Sequence, residues 1–96
     1  MSYTLIIRKR AEQHLADAYN WYEEQRVGLG EEFLLCIEAS FNVITETPLL
    51  FQEKHKNIRC RMTPRFPYGI FYFIDKDKIV VVAVFHLSRN PKLWRK

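Results

Sequence analysis

Ile79-Val80-Val81-Val82-Ala83-Val84-Phe85, an unbroken apolar run, constrains this chain more than any other feature. It is rich in β-branched residues and follows Asp75-Lys76-Asp77-Lys78, a polar segment of hairpin length. Tyr68 to Ile74, on the other side of that turn, is equally rich in aromatic and β-branched residues, so the two runs predict a β-hairpin. Strand geometry sends Ile79, Val81, Ala83 and Phe85 to one face and Val80, Val82 and Val84 to the other. Both faces are apolar, so both need cover. At this length the run falls far short of the roughly 20 residues of a membrane-spanning helix.

The rest of the chain predicts what covers one face. Tyr3, Leu5 and Ile7 alternate with Thr4, Ile6 and Arg8 as in a short strand. From Ala11 the spacing turns helical through Ala11, Leu15, Ala18 and Tyr22, until Val27-Gly28-Leu29-Gly30 breaks it with two glycines. A second helix carries Glu31 and Glu32 in its first turn and the stripe Leu34, Ile37, Phe41 and Ile44, ending at Pro48. Helices joined so tightly pack antiparallel. Ile58, Cys60 and Met62 then alternate with Arg59, Arg61 and Thr63, a strand with one apolar and one basic face.

The order predicts a single α+β domain over residues 1–96: an N-terminal strand, an antiparallel helical hairpin, then a three-stranded antiparallel sheet. Two helices cover only one sheet face. The other is covered either by the C-terminal tail, with Trp94 as a wedge, or by another protein chain.

Charge is unevenly spread. Residues 1–48 hold four basic against eight acidic residues, and residues 49–96 hold eleven against three. Such asymmetry suits an anionic partner, nucleic acid or an acidic protein segment. Cys36 and Cys60 have no second Cys or His at ligand spacing and read as reduced core residues, so neither a metal site nor a cofactor is expected. The N-terminus lacks a secretory cleavage site, and a cytoplasmic protein is expected.

Arg59, Arg61, Arg65, His86 and Arg89 are the candidates for chemistry. Converging arginines hold a phosphodiester, and a histidine near neutral pKa moves a proton in RNA cleavage. Against this, Arg59 and Arg61 also read as an exposed sheet face, and a strand-end histidine more often caps or packs. Lys54-His55-Lys56 reads as a solvated loop, and Trp21, Tyr22, Phe66 and Tyr68 as core residues rather than base-stacking ones. No phosphate-binding glycine loop or paired serine or cysteine nucleophile is present in the sequence.

Trp21-Tyr22-Glu23-Glu24-Gln25, Gly28-Leu29-Gly30 with Phe33, Ile58-Arg59, Arg65-Phe66-Pro67-Tyr68-Gly69-Ile70-Phe71-Tyr72 and His86-Leu87-Ser88-Arg89-Asn90-Pro91 with Trp94 occur in an order and spacing that resemble the RelE/ParE superfamily. The resemblance spans nearly the whole chain. It implies the toxin half of a bacterial type II toxin–antitoxin pair, a microbial-ribonuclease-like fold, and an antitoxin that neutralises the toxin by wrapping it. The RelE-like branch cleaves messenger RNA on the ribosome, and Lys54, Lys56 and Arg89 fall where its basic residues lie. Two departures stand against that branch: Gly69 follows Tyr68 where an arginine is common, and Trp94 cannot exchange a proton as tyrosine can. The Trp-Tyr-Glu-Glu-Gln run looks closer to the ParE-like branch, which implies a poison of DNA gyrase with no chemistry of its own. A RelE-like ribonuclease using Arg61, Arg65, His86 and Arg89, and a non-toxic antitoxin-binding member, are the alternatives. The antitoxin or target is expected to meet Arg59, Arg61, Arg65 and Trp94, with acidic residues on the basic sheet face and an apolar helix or strand over the uncovered core.

Overall fold

Alternation at the N-terminus becomes β1 (Thr4–Ile7), and the change to helical spacing becomes α1 (Lys9–Gln25) and α2 (Leu29–Glu46). The computed structural model, which describes residues 3–88, continues with β2 (Glu53–His55), β3 (Ile58–Met62), β4 (Tyr68–Asp75) and β5 (Lys78–His86). Arg89, Trp94 and the rest of the tail lie outside the described residues. The strands form one sheet in the order β1-β5-β4-β3-β2, with β1 parallel to β5 and the other neighbours antiparallel. The apolar β5 is therefore an interior strand, as its sequence requires.

Four strands follow the helices, not the three expected. Glu53-Lys54-His55 pairs with β3 as a short edge strand, Glu53 opposite Arg59 and His55 opposite Ile58. All its side chains are exposed, so no burial pattern marks it in the sequence. The alternation expected along β5 also breaks. Its pairing with β4 runs from Tyr68 and His86 to Phe71 and Ala83, then resumes at Tyr72 and Val81, leaving Val82 as an extra residue. Such a bulge reverses the facing of everything beyond it. Ile79, Val81 and Val84 consequently join the core under the helices, whereas Val82, Ala83 and Phe85 pack on the far face.

In α2 the buried positions are Gly30, Phe33, Ile37, Ser40 and Ile44. This stripe is rotated from the expected one: Leu34 is exposed and Phe41 half-buried. Both stripes have helical spacing, and the polar Ser40 disguises the true one.

The glycines between the helices do different work. Gly28 adopts φ 92°, a left-handed conformation that glycine enters without steric cost. Gly30 has ordinary backbone angles but no room: a Cβ there would lie 2.7 Å from Cδ1 of Tyr19. The Glu23 carboxylate reaches back across the joint and accepts the N–H groups of Gly28 and Gly30, each at 2.9 Å, satisfying donors that the start of α2 leaves open.

Between helices and sheet lies an aromatic cluster. The ring of the fully buried Phe33 is 5.2 Å from Tyr22, 5.4 Å from Phe66 and 5.0 Å from Tyr68. Burying such a ring stabilises the fold by about 2–3 kcal/mol. The loop between β3 and β4 delivers Phe66 to the cluster, held by Thr63, whose hydroxyl donates to the Phe66 carbonyl. Tyr72 donates its hydroxyl to the Pro48 carbonyl at 2.7 Å, fastening the loop after α2; burial pushes its pKa up to about 12 and keeps the donor protonated.

Candidate functional site

Arg59 and Arg61 do not form an open basic sheet face. Pairing places Arg59 opposite Tyr72 and Arg61 opposite Ile70, residues of the core under the helices, so both arginines point to the helix side at the margin of the sheet. Arg59 donates to the Phe51 carbonyl at 2.7 Å and pairs with Glu53 at 3.4 Å. The Arg61 guanidinium lies over the Phe51 ring, 5.2 Å from its centroid, with Nε buried and without a hydrogen-bond partner among the described residues. The apolar face of β3 is the other one, where Cys60 is buried and Met62 is exposed. Strand parity is legible in the sequence; which side receives the helices is not.

Arg65 stands at the tip of the β3–β4 loop over the Phe66 ring and pairs with Glu32 of α2 at 2.5 Å. Arg26 meets the other oxygen of Glu32 at 3.4 Å, and these guanidiniums, Arg65 foremost, hold the Glu32 carboxyl below the usual carboxylate range. His86 packs edge-on against Tyr68 at 5.1 Å, and its Nδ1 accepts the Ser88 N–H at 3.2 Å. Arg61 lies opposite Ile70 and Ile70 opposite Val84, so β4 separates Arg61 from β5, with His86 two residues further along. Among the described residues Arg59, Arg61 and His86 share a face of the sheet, and core residues stand between Arg61 and His86. Lys54, His55 and Lys56 are exposed on and beside β2. Of the aromatic residues, Tyr22, Phe66 and Tyr68 are core, whereas Trp21 is 42% exposed on α1.

The far face of the sheet gathers features the sequence leaves scattered. Cys60, Phe71, Ala83 and Phe85 form a second buried cluster, with Ile58, Val82 and Leu87 packed against it. Ile6 and Met62 at its margins stay exposed. Cations rim this apolar field: Arg8 lies over the Phe73 ring at 5.4 Å and Arg10 over the Phe85 ring at 5.8 Å. On the opposite edge, Lys54 is close enough to act on Cys60, whose thiol burial nevertheless pushes up to about 11, leaving it protonated and inert. Arg8 and Arg10 escape a reading by halves because they fall in the acidic half, although the alternation that sets Arg8 with Ile6 rather than with Leu5 and Ile7 already places it on this face.

His14 joins α1 to this region. β1 pairs only with Lys78 to Val81 of β5, and further along the strand the Val84 N–H donates to His14 Nδ1 at 3.1 Å. The imidazole stacks on Phe85 at 4.8 Å, and burial, then the charge of Arg10, lowers its pKa below the ordinary 6.5. A neutral ring is required there, because only an unprotonated Nδ1 accepts. The chemistry assembled on this face is that of an anion-attracting apolar surface.

A family model described as the ParE toxin of the type II toxin-antitoxin system, parDE, matches residues 5–91. No curated protein matches the chain in sequence. Among solved structures, the chain is similar to one from the chromosomal ParDE toxin–antitoxin system of P. aeruginosa, with a TM-score of 0.67 and 12% identity, covering 88% of this chain and 95% of that one. It is also similar to a chain of the toxin–antitoxin complex RelBE2 from Mycobacterium tuberculosis, with a TM-score of 0.63 and 17% identity, covering 90% of this chain and 99% of that one. At these identities the structural likeness is one of fold, a helical hairpin on a mostly antiparallel sheet.

Proposed function

Because the chain belongs to the ParE toxin family of type II toxin–antitoxin systems, we propose that it inhibits DNA gyrase by binding it and trapping its cleaved DNA complex, and that a cognate antitoxin neutralises it. The observation that supports the gyrase reading is the separation of the nuclease candidates that fall among the described residues. Arg59 is held by Glu53 and the Phe51 carbonyl, Arg65 by Glu32, and His86 stands beyond β4 against Tyr68. A general acid or base must come within hydrogen-bond reach of the proton it moves, and cations that stabilise a cleaved phosphodiester must surround the same atoms. A binding inhibitor needs neither arrangement and no cofactor.

The antitoxin's place in this reading is the far face of the sheet. An amphipathic antitoxin segment covers the margins at Ile6 and Met62 and brings acidic side chains to Arg8, Arg10 and Lys54. Arg59, already paired, contributes little to that contact, whereas the half-exposed Arg65 is a contact for antitoxin or gyrase.

Pulse-labelling of DNA and protein synthesis in the minutes after induction of this chain alone tests the target. Early loss of DNA synthesis is expected. Early loss of translation with DNA synthesis intact would replace gyrase by ribosomal messenger RNA, and no growth defect would leave an antitoxin-binding member without toxicity.

A further inference from the structure

Between α2 and β2 the chain turns through residues 47–52 and leaves two leucines in the open: Leu49 is 67% and Leu50 70% exposed. Isolated exposed leucines are ordinary on a protein surface. These two are adjacent, and the backbone that carries them is held from both sides. The Thr47 hydroxyl and N–H both donate to the Val43 carbonyl at the end of α2, and the Leu50 N–H donates back to the Thr47 carbonyl at 3.1 Å, closing the turn over the buried Pro48. Tyr72 of β4 donates to the Pro48 carbonyl and Arg59 of β3 to the Phe51 carbonyl, each at 2.7 Å. The carbonyls on either side of the leucine pair are thus tied to the sheet, and the half-buried Phe51 packs against the core. Apolar side chains on a backbone fixed in this way lose less freedom when a partner covers them.

Arg61 completes the surface. Its guanidinium rests on the Phe51 ring, and among the described residues no hydrogen bond or ion pair claims it, whereas Arg26, Arg59 and Arg65 each meet a glutamate. Glu46 and Glu53, both exposed, flank the segment in sequence. A phosphate backbone is held by several cations in a row, and here Arg59 is already taken by Glu53. A folded protein that offers an apolar pocket with a carboxylate at its rim fits two leucines beside one unpaired arginine. We propose that Leu49 and Leu50 anchor the chain in such a pocket on its protein target, gyrase, with Arg61 meeting a carboxylate at the rim. This rests on the gyrase reading and adds the contact to it. The leucines carry most of the affinity because they are desolvated in the pocket, and Arg61, at a wetter rim, sets orientation and contributes less. Arg61 lies on the helix side of the sheet, so the anchor is separate from the far face assigned to the antitoxin.

The test measures binding of the full-length chain to immobilised gyrase loaded with plasmid, comparing the wild type with a joint Leu49→Ser and Leu50→Ser variant, with Arg61→Gln, and with Leu35→Ser. Leu35, 64% exposed on α2, controls for a general loss of surface apolarity. Both anchor leucines are exposed, so thermal melts of the serine variant should match the wild type and exclude unfolding as the cause. The joint serine variant is expected to bind at least about tenfold more weakly. Arg61→Gln should lose about threefold, and Leu35→Ser nothing. Affinity of the serine variant for the cognate antitoxin should stay as in the wild type. Wild-type affinity of the serine variant for gyrase would overturn the anchor and leave the gyrase reading standing. A parallel loss of antitoxin affinity, an equal loss at Leu35, or a dimer of the chain that the serine variant abolishes would also overturn it. Failure of the wild type itself to bind gyrase would overturn the gyrase reading, and the anchor with it.

Discussion

The helical hairpin and the sheet both present apolar surface to the outside, yet they differ in charge and in how they are fastened. Lys9–Glu46 carries three basic and eight acidic residues, whereas residues 49–88 carry seven basic and three acidic. The hairpin is secured at one joint, where Glu23 caps α2 and Gly30 admits Tyr19. The far face of the sheet is held by broad packing of Phe71, Ala83 and Phe85 and rimmed by Arg8 and Arg10. The two sides of this small chain therefore have opposite electrostatic preferences.

That contrast fails first if the aromatic cluster between the two layers does not hold them together. Phe33→Ala should cost about 4 kcal/mol, a large share of the stability of a domain this size, and a denaturant titration reads it as a large fall in midpoint. Gly30→Ala comes next, at about 2 kcal/mol, because the added methyl collides with Tyr19 and with the Glu23 oxygen that caps the helix. Gly69→Ala on the sheet should cost less, since the tightest contact there, at 2.9 Å, is the end of the flexible Leu87 side chain. Equal losses at the two glycines would remove the distinction between a single joint and broad packing.

On the sheet, joint Arg8→Glu and Arg10→Glu substitution should weaken the antitoxin complex about tenfold and flatten its salt dependence. The same exchange at Arg26 in the hairpin should leave that affinity within error by calorimetry. A smaller effect belongs to His14, which links hairpin to sheet. Its pKa is lowered on folding, so the unfolded chain binds the extra proton more readily. The stability it contributes is present above its ordinary value of 6.5 and is lost as pH falls through the lowered folded value. Thermal melts across that window should show a slope in the wild type that His14→Leu reduces. Glu32→Gln should have the least effect, an exposed ion pair whose loss vanishes at high salt.

Legibility in the sequence followed the strength of the local signal. The β4–β5 hairpin and both helices are readable because aromatic and β-branched density or helical spacing marks them continuously. Val82 is chemically like its neighbours, so nothing betrays the bulge that turns Ala83 and Phe85 away from the helices. The orientation of Arg59 and Arg61 depends on pairing with Tyr72 and Ile70 across strands, a tertiary fact that alternation within β3 does not contain. Glu23 looks like one more surface acid on α1 until the chain turns back and places two backbone N–H groups against it. Arg65 is legible as exposed and basic, but its pairing with Glu32 joins residues that are distant in sequence.

The most direct test of a binding toxin without nuclease chemistry is a plasmid assay with purified gyrase, comparing the wild-type chain with a joint His86→Ala and Arg61→Ala variant whose folding is verified. Gyrase poisoning predicts linear, gyrase-cleaved plasmid with both proteins, and no cleavage of messenger RNA on purified ribosomes by either. Intact plasmid together with ribosomal RNA-message cleavage that the variant loses would contradict it and return His86 and Arg61 to a catalytic site.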